Sequence, residues 1–208
     1  ALHALVLDDR APDLADAYAE RRIDSGLLLQ IIDAQQDFIL HWLDSPPQTN
    51  EVARSAAIIA AARFLHGFTA LPLRVRELGA SAGLNLNFHR YILAPNTVFE
   101  DSADVVLRPD WQGPVPEATI AVADARGVDL NPLDPVANAL RLRAYCWADQ
   151  TARLSRLDAA LTLARDHKPQ VDAGDAAAWL ARQLSEPVPG QTTLVTHTIA
   201  AQYFPTTT

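Results

Sequence analysis

Along residues 25–42 the apolar side chains Leu28, Ile31, Ile32, Phe38, Ile39 and Trp42 recur at helical spacing, with Gln30, Asp33, Asp37 and His41 between them. That spacing predicts one amphipathic helix, ended by Ser45-Pro46-Pro47. Thr49 or Asn50 then caps a second helix with Glu51 in its first turn, where the positive end of the helix dipole favours a carboxylate. Ile58, Ala62 and Leu65 carry this second helix to about Gly67, and residues before 25 read as a weaker helical pattern.

The period changes at Leu73, Val75 and Glu77, which predict a short strand running directly into the small-residue turn Gly79-Ala80-Ser81-Ala82-Gly83. A helix or turn from Asn85 to Tyr91 follows. Residues 92–116 show no clear period and carry Pro95, Pro109, Pro114 and Pro116, so an irregular insertion is expected there. A second strand over 120–129 ends in Asn131-Pro132-Leu133-Asp134-Pro135, and helical patterns cover 136–147 and 149–167. A third strand over 170–173 meets Gly174-Asp175-Ala176 and a helix over 177–184. After the turn at 187–190, a fourth strand over 193–196 leads to His197. Four strands alternating with helices predict an α/β fold with a Rossmann-like, doubly wound parallel sheet behind a helical front segment. The expected division is residues 1–70 for the front segment and 71–208 for the sheet domain.

Composition narrows this picture without changing it. With 49% hydrophobic and 20% charged residues, the chain fits one soluble domain with a helical appendage. Seventeen basic against 25 acidic residues leave a formal charge of −8, and the basic residues are dispersed. Phosphate neutralisation needs clustered Lys and Arg, so a nucleic-acid partner is disfavoured and a small-molecule substrate is expected. No run approaches the roughly 18 apolar residues of a spanning helix, which argues against a membrane partner. The single cysteine, Cys146, allows neither an internal disulfide nor a structural zinc cluster, so a cytoplasmic protein without a metal is expected. Methionine is absent and the chain stops just after a strand-like segment. Slightly longer true spacings and further C-terminal strands are therefore expected.

In doubly wound sheets ligands sit at the carboxyl ends of the strands, where strand order reverses. Here those ends are polar: Glu77 with the 79–83 turn, then Asp129, then Asp175, then His197 and Thr198. The turn offers backbone N–H groups to a ligand. Asp129 is placed to accept the two hydroxyls of a ribose, or to cap the next helix. Asp175 is placed to meet an adenine amino group, or simply to make a turn. His197, the only histidine at an expected strand end, is the first candidate for a general base, against a plain sheet-edge role. Tyr203 could line the same pocket or pack in the core.

Gln48-Thr49-Asn50-Glu51, ELGASAGLN over 77–85, Arg90-Tyr91, GVDLNPLD over 127–134 and the final segment 197–205 together resemble the bacterial family catalogued as domain of unknown function 2332. The similarity runs from about residue 45 to the end. That family is in turn similar to class I methyltransferases, and this likeness implies S-adenosylmethionine as cofactor. It implies that Glu77, Gly79, Ser81 and Gly83 surround the methionine part, Asp129 the ribose, and Asp175 with Ala176 the adenine, with Ala80, Asn85 and Asn131 as further cofactor-binding residues. It also raises Gln48, Asn50, Glu51 and Arg54 as substrate or lid residues. Two departures stand out: Ser81 occupies the middle of the turn where glycine is usual, and the gap from Glu77 to Asp129 exceeds the roughly 20 residues of a compact unit. The expected activity is a methyltransferase acting on a small molecule. The alternatives are a non-catalytic nucleoside-binding or regulatory module and an NAD-dependent oxidoreductase; the second is the weaker, because the turn lacks G-x-G-x-x-G.

Overall fold

The computed structural model describes residues 1–22, 24–44, 47–97 and 104–204. Ser45 and Pro46 of the expected helix stop, and the last four residues, lie outside the described residues. The chain is a mixed α/β protein that separates into two compact units, one formed by Ala1–Thr49 with Ala137–Ser155, the other by Asn50–Val136 with Arg156–Thr208.

The first unit is helical: α1 (Leu2–Leu7), α2 (Pro12–Ala19), α3 (Ser25–Ala34) and α4 (Gln36–Leu43). The single helix expected over 25–42 is thus two helices, broken at Gln35, whose φ of −120° and ψ of 25° leave the helical range. Leu5, Ala11 and Leu14 form the core of this unit, and Leu28, Ile31, Phe38 and Ile39 from both halves of the broken helix pack against them. Later in the chain, the stretch expected as a helix over 136–147 is helical only as α6 (Ala139–Ala144), where Tyr145 lies edge-on to Trp42 of α4.

The second unit holds α5 (Ser55–His66) together with the sheet and begins at Asn50. Its strands are β1 (Leu73–Leu78), β2 (Ile92–Leu93), β3 (Val106–Leu107), β4 (Val122–Asp129), β5 (Val171–Ala173) and β6 (Thr192–Thr196). Between them lie α7 (Thr151–Asp166), which spans both units in sequence, and α8 (Ala176–Leu184). Four strands form one sheet in the order β5-β4-β1-β6, parallel throughout. The chain therefore steps from β1 outward to β4 and β5, then returns to the other side of β1 as β6, and the order reverses between β1 and β6. The stretch expected to be irregular contains a small two-stranded parallel sheet, β2 with β3.

In a parallel pair, residues in register point to the same face. On one face Leu78 and Val128 pack with Trp179 of α8, backed by Ala176, Leu180 and Phe204. This face also carries charge. Arg76 pairs with Asp124 at 2.6 Å, Arg126 grips Asp172 through two bonds of 2.8 and 2.7 Å, and Gln183 accepts from Arg74 and Arg76. The opposite face, carrying Val75 and Glu77, is the one on which the site is built. Next to it runs the short 3-10 segment Leu84–Arg90, which packs against α5 and β4. Its asparagines bond away from their own backbone: Asn85 to Glu77 and Ser55, Asn87 to the His167 carbonyl.

Candidate functional site

The turn after β1 bends through three left-handed residues, Gly79 (φ 68°), Ser81 (φ 55°) and Gly83 (φ 71°). For a serine this conformation is uncommon, and its persistence requires the surroundings to hold it. They do so through β4. The Gly79 and Ala80 N–H groups both donate to the Val128 carbonyl, at 2.9 and 3.0 Å. The Ser81 N–H donates to Asp129 Oδ2 at 2.8 Å, and the Asn131 N–H to Asp129 Oδ1 at 3.0 Å. The glycine turn and the Asp129 carboxylate, expected from sequence to sit near one another, are thus directly hydrogen-bonded on neighbouring strand ends.

The space beside the glycines is taken up by the chain itself. A Cβ at Gly79 would lie 2.3 Å from Ala200 Cβ, one at Gly83 would lie 2.6 Å from Pro169 Cβ, and one at Gly127 would lie 2.5 Å from Ala80 Cβ. At Gly79 and Gly83 the missing side chain therefore serves both the left-handed bend and a close approach of two segments of the same chain.

Glu77 is 2% exposed, at the end of β1 and in register with Gly127 of β4 and Thr196 of β6. Its Oε1 accepts from Asn85 Nδ2 at 3.3 Å, and Asn85 Oδ1 accepts from Ser55 Oγ at 2.8 Å. Its Oε2 has no partner, and neither have the buried Ser81 Oγ and Thr196 Oγ1. Burial pushes the Glu77 carboxyl up to about 8; the Asn85 bond opposes that rise and the Asp129 charge adds to it. Tyr91, whose hydroxyl donates to the Leu84 carbonyl, is also pushed up, by burial first and by Glu77 second. A buried carboxyl whose proton is held to about 8, with one unmet oxygen, suits the binding of a polar ligand group or the carrying of a proton.

The segment before α5 is fastened at three points. Asn50 Oδ1 accepts from the Leu84 N–H at 3.2 Å, Glu51 accepts from the Ala53 N–H and pairs with Arg156 at 3.3 Å, and Arg54 donates to Thr198 Oγ1 at 3.4 Å. Gln48 belongs to the helical unit. Asp175, at the end of the edge strand β5, accepts from the Ala178 N–H at 2.8 Å and so caps α8, whose first residue is Ala176. His197 is exposed just after β6, and Tyr203 is 77% exposed.

Of the sequence candidates, the fold brings together Glu77, Gly79, Ala80, Ser81, Gly83, Asn85, Asp129 and Asn131. Asn50, Glu51 and Arg54 are tied to neighbouring elements of the same unit. Ser55, Thr196 and Arg156 take part without having been singled out, and Tyr91 was quoted only within the family string. Their roles depend on strand register and helix packing, which leave no local mark in the sequence. Among the described residues, no group of three or more His, Cys, Asp or Glu side chains could hold a metal ion, and no helix is long and apolar enough to cross a membrane.

Over residues 1–208 the chain matches the family described as uncharacterized protein conserved in bacteria (DUF2332). No curated protein and no solved structure matches it.

Proposed function

Since the chain belongs to this bacterial family, whose description assigns no reaction, function has to be read from the site, and we propose a class I methyltransferase-type domain that binds S-adenosylmethionine and methylates a small molecule. The observation that carries this reading is the pairing of two carboxyl groups on adjacent strand ends beside the reversal of strand order. Glu77 is buried at the end of β1, and Asp129 is clamped to the glycine turn at the end of β4. Ligands of doubly wound sheets lie in that place.

The unpartnered oxygens of Glu77, Ser81 and Thr196 fit a ligand that brings several hydrogen-bond donors to the carboxyl edge. In this assignment Asp129, oriented by the Ser81 and Asn131 N–H groups, receives the ribose hydroxyls, and Glu77 with its neighbours receives the amino-acid end. Asp175 and Ala176 lie two strands from β1, toward the adenine in this assignment. S-adenosylmethionine would supply an electrophilic methyl group. The chain's own part is then to position the acceptor, exclude water and take at most one proton.

A second reading has its own support. Neither proposed catalytic side chain, His197 or Tyr203, is enclosed with the buried cluster, and Ala200 crowds the turn at Gly79. Those features suit a nucleoside-binding or regulatory module that catalyses nothing. Calorimetric titration with S-adenosylmethionine and S-adenosylhomocysteine, repeated on Asp129→Ala, tests both. Binding that weakens in the variant, together with methyl transfer across a metabolite panel, is the expected result. Binding without turnover selects the module, and no binding by either compound removes the methyltransferase reading.

A further inference from the structure

We propose that one flank of α3 and α4 docks an amphipathic helix of another protein, a helix whose apolar stripe is edged by Lys or Arg. On this flank Leu29, Ile32, Leu40 and Leu43 are 68, 40, 52 and 71% exposed. With Gln36 between them they follow one another at steps of three, four, four and three residues, the spacing of a single helix flank. A second stripe, Leu28, Ile31, Phe38 and Ile39, packs on the unit's own core and leaves the first one in solvent. Half of α3 is Leu or Ile, and none of these residues is fully buried. A single exposed leucine is ordinary, whereas four large aliphatic side chains aligned on one flank mark a surface that another helix covers. The surface involves residues 25–44 only and does not depend on the cofactor reading.

Charge sets the partner's chemistry. Asp33, Asp37 and Asp44 are exposed and, at steps of four and seven residues, form a row beside the stripe. Asp44 lies 3.7 Å from His41, and the sequence from 23 to 53 contains no Lys or Arg. Arg10 and Arg141 meet these helices over the rings of Phe38 and Trp42, which belong to the inward stripe. A row of Lys or Arg on the arriving helix therefore finds three carboxylates, which attract it and fix its direction. A second copy of this chain is the poorer occupant. The stripe is symmetric about Gln36, so two copies would pair antiparallel around a two-fold axis. That axis sets both acidic rows on the same side of the pair, where like charges oppose each other.

The test is fluorescence anisotropy of the full chain with a labelled synthetic helix of about 18 residues, long enough to follow the stripe. The probe carries leucines at three-four spacing and lysines along one edge, and its control carries glutamates in place of the lysines. Saturable binding of the lysine helix alone is expected. Leu29→Ser with Leu43→Ser should weaken it at least about tenfold. Asp33→Asn with Asp37→Asn should weaken it about threefold or more, a loss that shrinks at high salt. Asp13→Asn with Asp16→Asn removes the same charge from α2 and should leave binding unchanged. Urea midpoints equal to that of the parent show that the variants fold. No binding by the lysine helix, equal binding by the glutamate helix, or equal weakening by the α2 variant overturns the proposal. So does a chain that sediments as a dimer and turns monomeric in Leu29→Ser with Leu43→Ser, because a second copy is then the occupant. Flotation with phosphatidylcholine vesicles that the same leucine variant abolishes also overturns it, in favour of a lipid surface.

Discussion

Replacing Glu77 by Gln should make the protein more stable near neutral pH and leave it unchanged near pH 4. The sign follows from proton binding. Below the ordinary value of 4.5, folded and unfolded chains both carry the carboxyl proton, and Glu and Gln are equivalent. Above it the unfolded chain ionises, but burial holds the folded carboxyl protonated to about 8, so stability falls steadily between those two values. At about 1.4 kcal/mol per pH unit the loss by pH 7 is on the order of 3 kcal/mol. The Gln side chain has nearly the same shape, still accepts from Asn85 Nδ2 and never ionises, so it escapes that loss. For a chain of this size that corresponds to roughly 6–12 °C in melting temperature. Thermal and urea unfolding of both proteins from pH 4 to pH 8.5 reads it directly. Curves that run parallel across the whole range would refute a buried Glu77 that stays protonated at neutral pH.

Further outcomes follow from the same geometry. Asp129→Ala removes the acceptor for the Ser81 and Asn131 N–H groups and should cost about 2 kcal/mol in urea unfolding, with faster amide exchange at Ser81 than elsewhere in the turn. Gly79→Ala places a Cβ 2.3 Å from Ala200 Cβ at a φ of 68°, so it should lower stability by about 1 kcal/mol or more and open residues 200–204 to limited proteolysis. Ser55→Ala leaves Asn85 Oδ1 without its buried donor and should cost roughly 1–3 kcal/mol, measured by the urea midpoint. The Arg126 pair holds the Asp172 carboxyl below its ordinary value, so the stability it contributes should fade as pH drops through the acid range. Asp172→Asn should flatten that part of the profile.

What was legible in the sequence was local. The LRVREL strand running into small residues marked β1 and its turn, and Asp129 and Asp175 fell where the second and third strands of the sheet end. What was not legible depended on partners far along the chain. The break at Gln35 carries neither proline nor glycine, and both flanking helices bury apolar residues against the same cluster, so the pattern runs through it without a mark. Two-residue strands such as β2 and β3 are too short to show a period. At the site, Glu77 was singled out as a ligand contact, but the rise of its carboxyl to about 8 comes from burial, which only tertiary packing creates. Thr196 became a neighbour of Glu77 through strand register alone. Asp175 caps α8 by accepting from the Ala178 N–H, a role that only the helix after it creates.

The most direct measurement is a crystal structure of the chain grown with S-adenosylhomocysteine. The expected result is density for the ribose against Asp129 and for the amino-acid end beside Glu77. Density for the ligand elsewhere, or the Glu77 cluster left closed in the presence of saturating ligand, would contradict it.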